Sequence, residues 1–132
     1  MISFTKNEIK FLESMEECRV ATVHDNIPHV KPVSYLYENG QFFIATDYDT
    51  RMYKNLLKNS KVALSIDVYQ SKRHKAVCVQ GDTSMIENGK EFLEIYKKFH
   101  KKLEWVRSQP WEENEAPFVK IIPFSKVSWG LE

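Results

Sequence analysis

Cysteine is scarce in this sequence. Cys18 and Cys78 are the only two among 132 residues, with no CxxC or zinc-like spacing. A disulfide framework is therefore excluded. Two free thiols in a reducing compartment are expected, a single bridge in a secreted domain being the alternative. Long apolar runs are missing as well. Nothing approaches the roughly 18 consecutive apolar residues that cross a bilayer, and Lys6, Glu8, Lys10 and Glu13 interrupt the stretch a signal peptide would need. The chain is expected to be soluble and cytoplasmic, with no membrane partner. A surplus of one charge is also absent, since 19 basic against 18 acidic side chains give a formal net charge of +1. That balance argues against nucleic acid as a partner, which a marked basic excess would favour, yet leaves room for a local basic pocket. None of GxSxG, HExxH, GxGxxG or a Walker loop occurs. Their absence removes the commonest signatures of acyl transfer, zinc hydrolysis, dinucleotide binding and phosphoryl transfer.

What is present is a globular composition, 42% apolar and 13% aromatic. The length fits a single domain over residues 1–132 and can bury a core without disulfides or metals. Thr5-Lys6-Asn7-Glu8 has the form of a capping box, and Ile9, Leu12 and Met15 extend it as a helical stripe, so a helix is predicted over residues 6–16. Strands follow at Arg19–His24, Val30–Tyr37 and Gln41–Thr46. Asp25-Asn26 reads as a tight turn and Glu38-Asn39-Gly40 as a type I′ hairpin. Pro32 predicts an edge or a bulge inside the second strand. Met52, Tyr53, Leu56 and Leu57 form the buried face of a helix over 51–58, capped by Asp49 or Thr50. Strands are predicted next at Lys61–Tyr69 and Ala76–Glu87, joined by the charged stretch Gln70–Lys75, with Gly81 marking a bulge or a close backbone approach. A long helix over Lys90–Val106, an acidic loop over Ser108–Pro117, and short strands at Phe118–Pro123 and Ser125–Trp129 complete the chain. Antiparallel hairpins dominate and no regular βαβ alternation appears. The expected fold is mainly β (α+β): a six- to seven-stranded antiparallel Greek-key split β-barrel with three peripheral helices.

Few side chains suggest chemistry. His24 and His29 straddle a turn where two imidazoles could meet, but no third ligand of plausible spacing accompanies them, and no metal is expected. Ser34 has no histidine and acid arrangement around it. The start of the 51–58 helix says more. A phosphate dianion is held by charge-assisted donors, which arginine supplies in a fixed fork, and by the free N–H groups and positive dipole end of a helix. Thr50-Arg51 stands where these contributions converge. The same residues also read as an ordinary capped helix with Arg51, Lys54 and Lys58 on a solvated basic face, and Asp49 could occupy the helix start itself. Lys31 and Ser34 fall on opposite faces of an ideal strand, so both reach one ligand only if Pro32 bends it. Trp105, Trp111 and Trp129 could stack on a planar ligand or lie in an interface.

Several runs occur together in one order. They are His29-Val30-Lys31-Pro32-Val33-Ser34-Tyr35, Asn39-Gly40, Phe42-Phe43-Ile44-Ala45-Thr46, Thr50-Arg51-Met52-Tyr53-Lys54-Asn55-Leu56, Val79-Gln80-Gly81-Asp82 and Val127-Ser128-Trp129-Gly130. In order and spacing they resemble the pyridoxamine 5′-phosphate oxidase-like, FMN-binding split-barrel family over about residues 15 to 130. The resemblance implies a homodimer with two flavins at the subunit interface, FMN being the expected cofactor and a deazaflavin the alternative. It implies that Lys31, Pro32, Val33 and Ser34, with Thr46, line the flavin and its ribityl chain. It implies phosphate contacts from Thr50 and Arg51, and a place for Trp129 in the cofactor site. The family often has a lysine where this chain has Met52, a cation that Lys54 or Lys31 would then replace. The implied activity is that of a flavin-dependent oxidoreductase acting on an unidentified small molecule, or a non-catalytic flavin-binding electron carrier. Pyridoxamine phosphate oxidation itself is not implied, because no pyridoxal-phosphate site can be placed. A flavin that carries the redox chemistry agrees with the missing catalytic signatures.

Overall fold

The computed structural model describes residues 2–131. Its frame is six antiparallel strands: β1 Glu17–His24, β2 Ile27–Glu38, β3 Gln41–Ala45, β4 Lys61–Gln70, β5 Arg73–Ile86 and β6 Phe118–Trp129. They close as a barrel in the order β1-β2-β3-β6-β5-β4, with β4 pairing back onto β1. Four helices surround it: α1 Lys6–Ser14, α2 Arg51–Lys58, α3 Gly89–Lys102 and α4 Glu104–Ser108. The expected mainly β barrel with peripheral helices is the fold observed. Among the described residues no helix is long and apolar enough to cross a membrane.

Strand alternation builds two apolar clusters. Inward residues such as Val20, Tyr35, Phe42, Leu64, Val77 and Ile121 fill the barrel. α1 and α2 add Leu12 and Met52 to that core from opposite ends of β1. The Tyr35 hydroxyl donates to the Leu12 carbonyl (2.6 Å), and Asn55 Nδ2 donates to Thr22 Oγ1 (3.0 Å). Outward residues Leu36, Phe43 and Phe118 pack instead against Phe92, Phe99, Leu103 and Val106 of α3 and α4. The hairpin readings hold at Asp25-Asn26 and Asn39-Gly40, where all four residues have positive φ (52°, 62°, 50° and 80°), as type I′ turns need.

The capping box is present: Thr5 Oγ1 accepts from the Glu8 N–H and Glu8 Oε1 from the Thr5 N–H. The buried Glu8 carboxylate also accepts from Lys126 Nζ and Ser128 Oγ, which ties α1 to the end of β6.

Some boundaries differ from the sequence reading, each for a local reason. Phe118–Trp129 is one strand, not two. Opposite it the register shifts between Gln80 and Gly81, leaving Phe124 as an extra residue beside Pro123. The proline therefore marks a bulge instead of a strand end. Gly81 is the close approach expected there, since a Cβ on it would lie 2.8 Å from the Ile122 carbonyl oxygen. Pro32 does not bulge: β2 stays in continuous register with β1 from Ile27 to Ser34, and its pairing with β3 starts only at Tyr35. Pro32 thus lies where one side of β2 has no strand partner and its missing N–H costs little. The long third helix breaks at Leu103, whose backbone is extended (φ −116°, ψ 119°), giving α3 and α4. The charged stretch Gln70–Lys75 is mostly strand, because β4 runs to Gln70 and β5 starts at Arg73.

Candidate functional site

α2 starts where the sequence suggests. Thr50, and not Asp49, is its N-cap, with Oγ1 accepting from the Tyr53 N–H at 3.1 Å. The Thr50 hydroxyl donates to the Asp47 carbonyl (3.2 Å) and lies 2.7 Å from Thr46 Oγ1, which then donates to it. All the hydrogen-bonding capacity of Thr50 is thereby committed to the turn. What α2 still offers at its start is the unpaired N–H groups of Arg51 and Met52, in a first turn that carries no acidic side chain.

Two cavities flank this turn. One, of about 300 Å³, is lined by His24, Asp25, Ile27, Pro28, His29, Arg51 and Asn55. Asn55 is held by Thr22, so α2 is fixed against β1. Arg51 is in no ion pair among the described residues. His24 Nε2 stands 3.3 Å from Asp25 Oδ2. His29 Nδ1 is a buried side-chain polar atom without a hydrogen-bond partner. Such an atom costs free energy unless something pairs with it. The other cavity, of about 340 Å³, is lined by Ala45, Thr46, Asp47, Trp105, Gln109, Trp111, Glu115 and Ala116. Trp105 and Trp111 stack there, with ring centroids 5.8 Å apart and planes 7° from parallel. Trp105 Nε1 donates to Ser34 Oγ at 3.0 Å.

The sequence-derived residues divide between these places. Thr46, Thr50 and Arg51 come together at the turn. His29, Lys31 and Val33 share the inward face of β2, opposite Thr22, Val20 and Cys18 of β1. Pro32 and Ser34 take the other face, so the unbent strand keeps Lys31 and Ser34 apart. Lys54 is exposed on α2 and does not line the Arg51 cavity. Met52 is fully buried in the barrel core, so its position offers no surface cation. Trp129 pairs with Ala76 of β5, beside the β4–β5 turn, and within one chain it is not brought to Arg51. His29 and Asn55 are the residues that sequence reasoning missed. The signals for His29 were its position across a tight turn from His24 and its place at the head of the run His29–Tyr35. Among the described residues no cluster of three or more metal ligands occurs.

A family profile described as pyridoxamine 5′-phosphate oxidase matches residues 4–122. The chain belongs to the pyridoxamine 5′-phosphate oxidase family. Solved structures share the fold of this family member at low identity. One is a putative pyridoxamine 5′-phosphate oxidase from Listeria innocua, 15% identical, with a TM-score of 0.75 over 92% of this chain and 94% of that one. A haem storage protein from Vibrio cholerae is 17% identical, with a TM-score of 0.79 over 92% of both chains. An FAD-binding protein from Mycobacterium smegmatis is 19% identical, with a TM-score of 0.71 over 98% of this chain and 96% of that one. No curated protein matches the sequence.

Proposed function

We propose that this chain binds FMN between two copies of itself and acts as a flavin-dependent oxidoreductase on a small molecule. The observation that carries the proposal is that Arg51, in the first turn of α2, and His29 line one cavity, with His29 Nδ1 left without a hydrogen-bond partner. A phosphate group fits that donor set. Arg51 supplies a charge-assisted fork, the helix start supplies N–H groups, and His29 supplies the hydrogen bond its buried nitrogen lacks. His29 then takes the part of the lysine that Met52 replaces, ahead of Lys54. Lys31, kept from Ser34 by the unbent strand, is not needed as a further cation. Thr50 contributes by aiming the first turn. Thr46, with Pro32 and Ser34 on the outer face of β2, borders the ribityl chain and ring, the Trp105–Trp111 pair is an apolar wall, and Val33 supports them from the barrel core. The relatives agree with a flavin, since the family is that of an oxidase and one fold neighbour is an FAD-binding protein.

A second copy supplies what one chain lacks. Trp129 lies away from Arg51, so in this reading it reaches the site from the partner. Val30 and Val127 are 65% and 59% exposed on the outer barrel face. They border a cavity of about 490 Å³ that Ala21, Ala63, Cys78 and Gln80 also line. An apolar surface of this kind is what a second copy would cover.

When bound, the flavin supplies the electron-transfer chemistry, and the chain binds it, orients it and limits water around it. Titration with FMN, riboflavin and a deazaflavin, followed by turnover assays with the reduced protein, tests the proposal. Tight FMN binding with turnover is the expected result. Tight binding without turnover to any acceptor points to an electron carrier, and preference for the deazaflavin corrects the cofactor. Absence of binding to all three overturns the proposal.

A further inference from the structure

The turn between β4 and β5 is strongly basic. Lys72, Arg73 and His74 are exposed, Lys75 is half-buried over the Phe11 ring, and none of the four is in an ion pair among the described residues. The loop before β6 is strongly acidic. Glu112 and Glu115 are exposed and likewise in no ion pair. With Glu113 they rim a cavity of about 770 Å³ walled by Phe92, Tyr96 and Trp111. The two features stand at opposite ends of β5. Arg73 is the first residue of that strand, and the acidic loop is tied to the residues just beyond its end by bonds from Asn88 to Asn114 (2.9 Å) and from the Gly89 N–H to Glu113 (2.8 Å). Fourteen residues of strand separate them, about 45 Å of contour at ~3.3 Å per residue, so within one chain they do not meet.

Between those ends, Cys78 and Gln80 of β5 line the apolar outer cavity with Val30 and Val127. A two-fold axis through this middle and perpendicular to β5 exchanges the two ends of the strand, so each end faces the opposite end of its copy. We infer that the occupant of the acidic, aromatic-walled cavity is the basic β4–β5 hairpin of a second copy, so that two symmetric charge contacts fix the register of the dimer. The inference rests on the homodimer reading above and deepens it. Charge complementarity of this kind steers association and suppresses wrong registers, while the apolar middle supplies most of the buried area. Tyr69, 70% exposed and stacked on His74 at 4.1 Å, gives the hairpin an aromatic face to lay against Trp111.

The test uses two charge-reversed variants of the full chain, Lys72→Glu with Arg73→Glu, and Glu112→Lys with Glu115→Lys, measured by sedimentation at low salt. Each variant alone is expected to self-associate at least tenfold more weakly than the wild type, since both of its contacts become repulsive. Mixed together they are expected to form a heterodimer as tight as the wild type, because both contacts are then attractive, and this rescue also shows that each variant folds. The wild-type dimer should weaken as salt rises. A wild-type dimer indifferent to both reversals and to salt refutes the charge contact while leaving the homodimer standing. A wild type that is monomeric throughout refutes both. Reversals that lower FMN affinity at unchanged association assign the charges to a ligand and overturn the inference.

Discussion

Trp105 and Ser34, 71 residues apart in the chain, are joined by an indole N–H to hydroxyl hydrogen bond of 3.0 Å. The bond ties α4 to β2 and sets the Trp105–Trp111 stack along the cavity that Thr46 also lines. If the flavin ring lies beside this wall, bound FMN quenches tryptophan fluorescence mainly through Trp105. Trp105→Phe keeps an aromatic ring and removes the donor. A marked loss of FMN-dependent quenching is expected from it, and unchanged quenching would put the ring elsewhere.

Arg51 and His29 meet in one cavity but do different work. Arg51→Ala removes a charge-assisted contact worth about 1.5–3 kcal/mol, a ten- to hundred-fold loss of FMN affinity. His29→Ala removes a single imidazole bond, and a smaller loss of about 1 kcal/mol is expected. Riboflavin, which lacks the phosphate, should bind both variants as it binds the wild type. Calorimetry with both ligands separates these effects, and an equal loss for riboflavin would show that the two residues do not face the phosphate.

Met52 tests the same region from inside the barrel. It is fully buried among apolar residues, so Met52→Lys places an ammonium where no acid waits. A destabilisation of about 3 kcal/mol or more is expected in urea unfolding. FMN should recover part of it if the flexible stem lets the new charge reach the phosphate. No recovery on adding FMN would place the phosphate away from α2.

Much of the fold was legible because its signals were local. Asn39-Gly40, Asp25-Asn26 and the Thr5–Glu8 box depend on neighbours in sequence, and all three appear as read. The strand broken at Pro123 and the helix continued past Leu103 were misread because the deciding contacts are distant. Gly81 admits the Ile122 carbonyl across the sheet, and burial of both Leu103 and Val106 favours a bend. Thr50 and Arg51 were visible as a helix start. His29 was not, since its significance lies in an unpartnered nitrogen and in a cavity that Arg51 and Asn55 of α2 complete.

Glu8 makes stability depend on pH in a known direction. Burial raises its pKa, but bonds from Lys126, Ser128 and the Thr5 N–H outweigh burial and hold the carboxyl below the ordinary glutamate range. A depressed folded pKa contributes stability that is present above the unfolded value and is lost as pH falls through the folded one. Thermal unfolding of the wild type should therefore weaken below about pH 4.5 more steeply than that of Glu8→Gln. Parallel curves would show that the network adds no pH-dependent stability.

The two thiols should differ in reactivity. Burial pushes the Cys18 thiol up to about 12, whereas Cys78 lines the outer face of β5. A thiol reagent is expected to label Cys78 alone in the folded chain, and more slowly as protein concentration rises and the second copy covers that face. Labelling independent of concentration would remove Cys78 from the interface.

The central claim is that the cavity beside Arg51 and His29 holds the phosphate of FMN. The absorption spectrum of the purified protein, followed by denaturation and identification of the released cofactor, addresses it most directly. A flavin spectrum with FMN released is the predicted result. A colourless protein that takes up neither added FMN nor a deazaflavin would contradict it.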